Sequence, residues 1–483
     1  MSRPALVRSA GLAGSVLLAV AAYAGGADRP WQPTMTPGTV LAGQSGLLAP
    51  LTWLLGTVLL TGAWWYGRTV VPSARWAYLT AALWVLPLLP VLPLGSYDVY
   101  SYACQGHALA AGLDPYAAGV QALGCPWLDA VSPTWRDAPA PYGPVFLLIA
   151  AAASALGGSL AGVLAALRVV SVLGVVLIAV SLPALTRRTG VDLKRAVWLA
   201  LACPLVAVHL VSGAHNDAVM VGLLVAGLAV AARGRAAGPL LAAGALLGLA
   251  VGVKATALVV LPFAVLAAAR AGRPDPAVRD PAVRDPAVRE PAVREPAVVR
   301  WGTLVRPAVL VGGGALAVLA GVSLASGLGF GWIRGLTGSG ASVQWTSPST
   351  AVGMTVNLAG QAFGAGWEAV PVTRVLGIAV LVAVLIALCW RARRSDALLG
   401  AGLALAATVA LAPVFHPWYL TWPLAVLAAT QRRDTRWLVL PCAVAGVLCL
   451  PDGYNLALAV KTQGAVAMTA LVVVLLVRRG RRP

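Results

Sequence analysis

Val169-Val170-Ser171-Val172-Leu173-Gly174-Val175-Val176-Leu177-Ile178-Ala179-Val180 lies inside an apolar run from 160 to 186 that Arg187 and Arg188 close. Its reading decides the fold class. The run holds one charge, Arg168, and is long enough to cross a hydrocarbon core of about 30 Å. Working outward, the chain offers about fourteen such crossings of roughly 17 to 25 residues. They fall near 6–26, 47–67, 76–95, 160–186, 196–212, 217–233, 237–253, 254–270, 303–326, 371–390, 396–413, 418–431, 436–451 and 462–478. The chain therefore reads as an all-α polytopic membrane protein. With 59% hydrophobic and 11% charged residues among 483, a water-soluble enzyme is excluded. The net charge of +19 is carried in short clusters between apolar runs, so it is topological and no nucleic-acid partner is expected.

Lys and Arg near helix ends are retained on the cytoplasmic side. With the N-terminus inside, Arg68 and Arg75, Arg187 to Arg195, Arg233 and Arg235, Arg391 to Arg394, Arg432 to Arg436 and Arg478 to Arg482 all fall inside. The apolar stretch 143–158 must then not cross, because counting it would put Arg187, Arg188, Lys194 and Arg195 outside. It reads as a re-entrant or interfacial outer helix. Arg3 and Arg8 before the first run also fit a signal peptide; the run is read as a retained first span. From Asp275 to Arg300 the motif Asp/Glu-Pro-Ala-Val-Arg repeats. A proline at every fifth residue rules out a continuous helix, so this segment reads as a disordered cytoplasmic linker. The resulting organisation is N-terminal spans (1–95), a large outer loop with juxtamembrane helices (96–159), central spans (160–270), the linker (271–302), and C-terminal spans (303–483) with an outer loop at 327–370.

The four histidines, His107, His209, His215 and His416, all fall near the outer face. So do Asp98, Asp114, Asp129, Asp137, Asp217 and Asp452. If 97–106 is helical, Asp98, Tyr102 and Gln105 share one face at i, i+4 and i+7. A carboxylate beside a phenol and an amide can accept a proton from a sugar hydroxyl. The plainer reading of Asp98 is a helix cap at a span end.

Asp98-Val99-Tyr100-Ser101-Tyr102, Gly112-Leu113-Asp114-Pro115-Tyr116, Pro141-Tyr142-Gly143-Pro144, His215-Asn216-Asp217, Lys254 with Pro262, and His416-Pro417-Trp418-Tyr419 occur in that order. Together they resemble the polyprenyl-phosphate-mannose-dependent alpha-1,6-mannosyltransferases of actinobacterial lipomannan synthesis. The resemblance implies a GT-C fold with an acidic catalytic residue in the first large outer loop, here Asp98. It implies transfer of mannose from a polyprenyl phosphate to a mannan or lipomannan acceptor on the outer face of the cell membrane, with inversion. The donor's leaving phosphate needs cations or donors as charge develops. Lys254 and His416 are the first candidates, with Arg136 and Arg168 next. Tyr97, Tyr102, Gln105, Asp114, Tyr116, Tyr142, His215, Asn216, Asp217, Trp418 and Tyr419 are carried as sugar or acceptor contacts.

Bland readings stand beside these. Lys254 could be a snorkelling lysine at an outer hairpin, His416 a member of an interfacial aromatic belt, and His215-Asn216-Asp217 a turn that caps the next helix. Adjacent His215 and Asp217 lack a third ligand at useful spacing, so no metal site or cofactor is assigned. Cys104 and Cys125 share the outer loop, and a disulfide between them is left open. A GT-C transferase of another lipid-linked sugar, such as arabinose or glucose, and a lipid or polysaccharide transporter are the alternatives.

Overall fold

The computed structural model describes residues 2–271, 298–336, 340, 342–432 and 435–480. The repeat read as a linker lies, up to 297, outside the described residues. The fold is 73% helical, and among the described residues the only β pairing is a bridge between Cys449 and Asn455. Six helices are long and apolar enough to cross a membrane: Arg3–Gly25, Leu48–Gly67, Leu160–Thr189, Trp301–Ala325, Ala369–Ala392 and Leu456–Arg478. A seventh candidate, Leu193–Leu201 with Val206–Ser212, bends by 60° at the break that holds Pro204, where the missing N–H interrupts the ladder. Shorter apolar helices include Pro144–Gly157, Asp217–Ala231, Ala237–Val253 and Ala397–Leu411.

The run expected to span 76–95 is the clearest departure. Its helix covers only Ala74–Val85 with one further turn at Leu86–Leu88. Pro87, Pro90 and Pro93 remove successive backbone donors, and the chain goes on without helix, through a bend at 89–91, to Gly95. At the run 143–158 the structure has a 14-residue helix, Pro144–Gly157, separated by Gly158 from the 30-residue helix that starts at Leu160.

Apolar side chains on the long helices face outward, as they would toward lipid: Val169, Leu173 and Val180 on one, Val375 and Ile386 on another, all more than half exposed. Helix contacts use small residues, because lipid offers no hydrophobic drive and close backbone approach must supply the attraction. A methyl on Gly14 would lie 2.8 Å from the Gly56 carbonyl oxygen, and one on Gly56 the same distance from that of Gly14.

Arginines from several of the basic clusters each serve a carbonyl at or beside a helix C-terminus. Arg188 donates to Arg270 O at 3.2 Å, Arg195 to Gln431 O at 2.9 Å, Arg235 to Ala269 O at 2.9 Å, and Arg432 to Thr189 O at 2.7 Å. These contacts satisfy orphan carbonyls and complement the negative helix ends.

Candidate active site

The chain turns at Gly95 (φ +73°), whose amide donates to Pro451 O at 3.1 Å, and Asp98 then opens the helix Asp98–Ala110. Glycine is needed there because a side chain at that φ would be strained and would meet the His209 ring. The Asp98 amide is capped by Ser96 Oγ at 3.1 Å. The helix packs on Pro144–Gly157 at Gly106, where any Cβ would overlap the Ala150 carbonyl. Asp98, Tyr102 and Gln105 thus do share a helix, and Asp98 and Gln105 line one pocket with Ser101, Trp135, Pro139, Pro141 and Tyr142.

A second wall comes from 209–217. The bent span ends in a wide i→i+5 turn, Val206–Ser212, and Ala214 then takes φ +49°, a left-handed value that a residue with a Cβ adopts only under strain. The turn drives His215 into the centre, fully buried, with Nδ1 3.7 Å from Asp98 Oδ2 and 3.3 Å from the Tyr102 hydroxyl. Asp217 heads the next helix. Its Oδ1 accepts from Lys254 Nζ at 2.9 Å and from Trp422 Nε1 at 2.7 Å. Lys254 reaches this point because its own backbone is extended (φ −150°, ψ 120°), breaking Ala237–Val253 from the turn at Ala255–Val260.

The third wall is aromatic. Trp418 stacks with His215, ring centres 3.9 Å apart, and with His416, 4.7 Å apart. Tyr419 and Trp422 stack at 4.3 Å, and the Lys254 ammonium sits over both rings, 4.4 Å and 5.1 Å from their centres. That places one cation against two π faces and one carboxylate, all out of water.

Burial dominates the electrostatics. It pushes the Asp98 carboxyl up to about 6; the positive charge of Lys254 pulls it down, the negative charge of Asp217 pushes it up, and the Ser96 hydrogen bond again lowers it. Burial also lowers His416 to about 3 and holds His215 well below its ordinary value, so both are neutral at pH 7. Asp98 keeps 21% of its side-chain surface open. Several buried polar atoms here have no partner within the protein: His215 Nε2, both amide atoms of Asn216, Asp217 Oδ2, Gln105 Oε1 and Ser101 Oγ. Buried polar atoms are almost always paired, so these atoms are available to a polar partner from outside the protein chain. Among the described residues no group of three or more His, Cys, Asp or Glu could hold a metal ion.

The structure gathers Asp98, Tyr102, Gln105, Tyr142, His215, Asn216, Asp217, Lys254, His416, Trp418 and Tyr419. It leaves others outside. Asp114 Oδ1 accepts from the Tyr116 amide at 2.8 Å, a local turn. Tyr116 packs with Ala140 and Leu147 and donates to Tyr142 O at 2.8 Å. Tyr97 faces Trp31 and Tyr100. Arg136 Nε is bound to Val131 O at 2.9 Å, and Arg168 bridges Leu89 O and Ser212 O on the far side of the His209 turn. Cys104 and Cys125 are joined, which ties the Asp98 helix to the loop that follows it. Sequence reasoning missed Trp422. Its signal was present, since Trp418, Tyr419 and Trp422 recur at helical spacing immediately after His416.

Residues 8–270 match the family described as alpha-(1->6)-mannopyranosyltransferase, N-terminal domain, and residues 349–479 match the MptB C-terminal domain. The chain is 31% identical over 464 residues to alpha-(1->6)-mannopyranosyltransferase A of Mycobacterium tuberculosis, covering 92% of this chain and 84% of that protein. A probable alpha-(1->6)-mannopyranosyltransferase of Mycolicibacterium smegmatis is 32% identical over 520 residues, covering 97% and 88%. Alpha-(1->6)-mannopyranosyltransferase B of Corynebacterium glutamicum is 32% identical over 387 residues, covering 76% and 60%. No solved structure matches the chain. With more than half its length inside one family match and relatives aligned along nearly all of it, the chain belongs to the alpha-(1->6)-mannopyranosyltransferase family and is a membrane glycosyltransferase.

Proposed function

We propose that the protein moves mannose from polyprenyl-phosphate mannose to the 6-hydroxyl of a mannan or lipomannan acceptor, on the outer face of the cell membrane and with inversion. The observation that carries this reading is Asp98: a carboxylate lifted to about 6, at a pocket mouth, 3.7 Å from a neutral His215 and in the same cluster as the Lys254 ammonium. A base near neutrality and a cation for a leaving phosphate are the two things a single displacement from a sugar phosphate requires. Asp98 takes the proton of the acceptor hydroxyl as its oxygen attacks the anomeric carbon. The bond from that carbon to the phosphate oxygen breaks, and its electron pair leaves on the phosphate. One face of the sugar carbon is attacked as the other is vacated, so a beta-linked donor yields an alpha linkage.

Lys254 offers its ammonium to that phosphate, and His416, stacked on Trp418, is a further polar contact. Asn216, Gln105 and Asp217 Oδ2, unpaired within the protein, serve sugar hydroxyls. Support for the outer face comes from the Cys104–Cys125 disulfide, a bond that persists in oxidising compartments, and from the arginine clusters at bundle positions assigned inside. The test is transfer of radiolabelled mannose from polyprenyl-phosphate mannose to a short alpha-1,6-mannoside by membranes carrying the wild type or Asp98→Asn. Transfer by the wild type alone supports donor and base together. A wild type that is present yet uses only another lipid-linked sugar refutes the donor.

A further inference from the structure

Away from the reaction centre, Tyr23, the segment Leu89–Pro93 and one stripe of the Leu160–Thr189 helix enclose a groove of about 660 Å³. The stripe is Ala161, Leu164, Ala165, Arg168, Val169, Val172 and Leu173, the i, i+3, i+4 pattern of a single helix face. From 161 to 173 the helix rises roughly 18 Å at 1.5 Å per residue. A groove of that length takes a stretch of hydrocarbon laid along the helix. Its walls are apolar except at Arg168.

Arg168 gives the groove its chemistry. It stands eight residues inside a membrane-crossing helix, where a charge is costly and marks function by default. Among the described residues, ion pairs form at Arg29, Lys194, His215 and Lys254 and none at Arg168. Its guanidinium is instead aimed by two carbonyls, Leu89 O at 2.5 Å and Ser212 O at 2.8 Å, and Nε has no partner. Of five N–H groups two are used, and the residue stays half-buried at the groove. A fixed cation with spare donors and no counter-charge, set in an otherwise apolar groove, complements the anionic head of a lipid whose chain lies alongside.

We propose that this groove is a second lipid-phosphate site, in which Arg168 holds the head of a polyprenyl monophosphate while its chain runs along Val169, Val172 and Leu173. The identity of the lipid rests on the donor reading above, since that transfer releases a polyprenyl phosphate into the same leaflet at each turnover. The site is separate from the donor phosphate's place at Lys254: the groove shares no lining residue with the Asp98, Lys254 and Trp418 cluster. Its wall runs directly into the catalytic segment, because Leu92 O accepts from Ser212 Oγ and only Leu94 to Tyr97 separate Pro93 from Asp98.

The full-length protein in zwitterionic nanodiscs would be photolabelled with a diazirine-bearing polyprenyl phosphate and the labelled peptides mapped. Labelling of 161–173 and 89–93 is expected, displaced by unlabelled polyprenyl phosphate and not by phosphatidylglycerol. Arg168→Gln should lower it about ten-fold, the loss of a charge-assisted contact. Because Arg168 also ties two backbone segments, Ala165→Trp, an exposed groove position, fills the channel without touching them and should abolish groove labelling in a folded protein. Labelling confined to peptides with Lys254 or His416, or retained in Ala165→Trp, overturns the second site. Equal displacement by phosphatidylglycerol overturns the occupant. Failure of the wild type to use polyprenyl-phosphate mannose in the transfer assay refutes the donor reading instead, so the two failures are told apart.

Discussion

Asp98→Asn should raise stability while it removes transfer. The carboxyl titrates at about 6 in the fold against an ordinary 3.8, a little over two units upward. At 1.36 kcal/mol per unit this is about 3 kcal/mol. The sign follows from proton counts: between those two values the folded state binds the proton and the unfolded state does not, so stability is greatest at low pH and falls as pH rises. At pH 7 the ionised Asp98 therefore costs the fold up to about 3 kcal/mol, net of its attraction to Lys254. Asparagine keeps the shape, keeps an acceptor for the pocket, and removes the charge. Thermal unfolding in detergent should show a gain of roughly 1 to 3 kcal/mol, and mannosyl transfer should fall by about 10² to 10⁴, the worth of a general base. A variant that is less stable than the wild type would refute the burial argument. One that transfers within ten-fold of the wild type would refute the base.

Lys254→Met leaves the Asp217 carboxylate with 0% side-chain exposure and only the Trp422 donor, and should cost about 3 to 5 kcal/mol in thermal unfolding. Adding Asp217→Asn should restore most of that stability without restoring transfer; a stable single variant would mean the pair is solvated. Cys104→Ser opens a link spanning 21 positions and should cost about 3 kcal/mol. Non-reducing mass mapping of the wild type should recover the Cys104–Cys125 peptide pair, and free thiols there would sink the link.

What was legible in the sequence was what is local. The Asp98, Tyr102 and Gln105 face needed only helical spacing. The long runs could be read as spans because length and composition suffice. At 76–95 the helix is shorter than the apolar run because Pro87, Pro90 and Pro93, whose missing donors end it at Leu88, weigh more than composition. The pairing of Lys254 with Asp217 was illegible: 37 positions separate them, and nothing in either helix's pattern fixes how the two ends meet. The same holds for His215 against Tyr102, 113 positions apart, and for Arg168, whose groove exists only once 89–93 lies beside its helix.

The charges of the centre set an order of events that can be measured. Asp98 and Asp217 face one ammonium, Lys254, while His215 and His416 are neutral at pH 7. With Asp98 ionised the centre carries one net negative charge, and a lipid phosphate brings another. Donor binding therefore favours protonated Asp98, and a like charge within ~4–6 Å raises a carboxyl by roughly one to three units. Catalysis needs the ionised form. It follows that kcat/KM for the donor, which reports the free enzyme, should fall as pH drops through about 6. The acidic limb of kcat, which reports the donor complex, should lie about one unit higher. Neutralising the phosphate with a displaced Lys254 would shrink that gap, so Lys254→Met should widen it in whatever transfer remains. A kcat limb at or below that of kcat/KM would show that the phosphate does not sense Asp98, and would place the leaving group beyond the reach of this carboxylate.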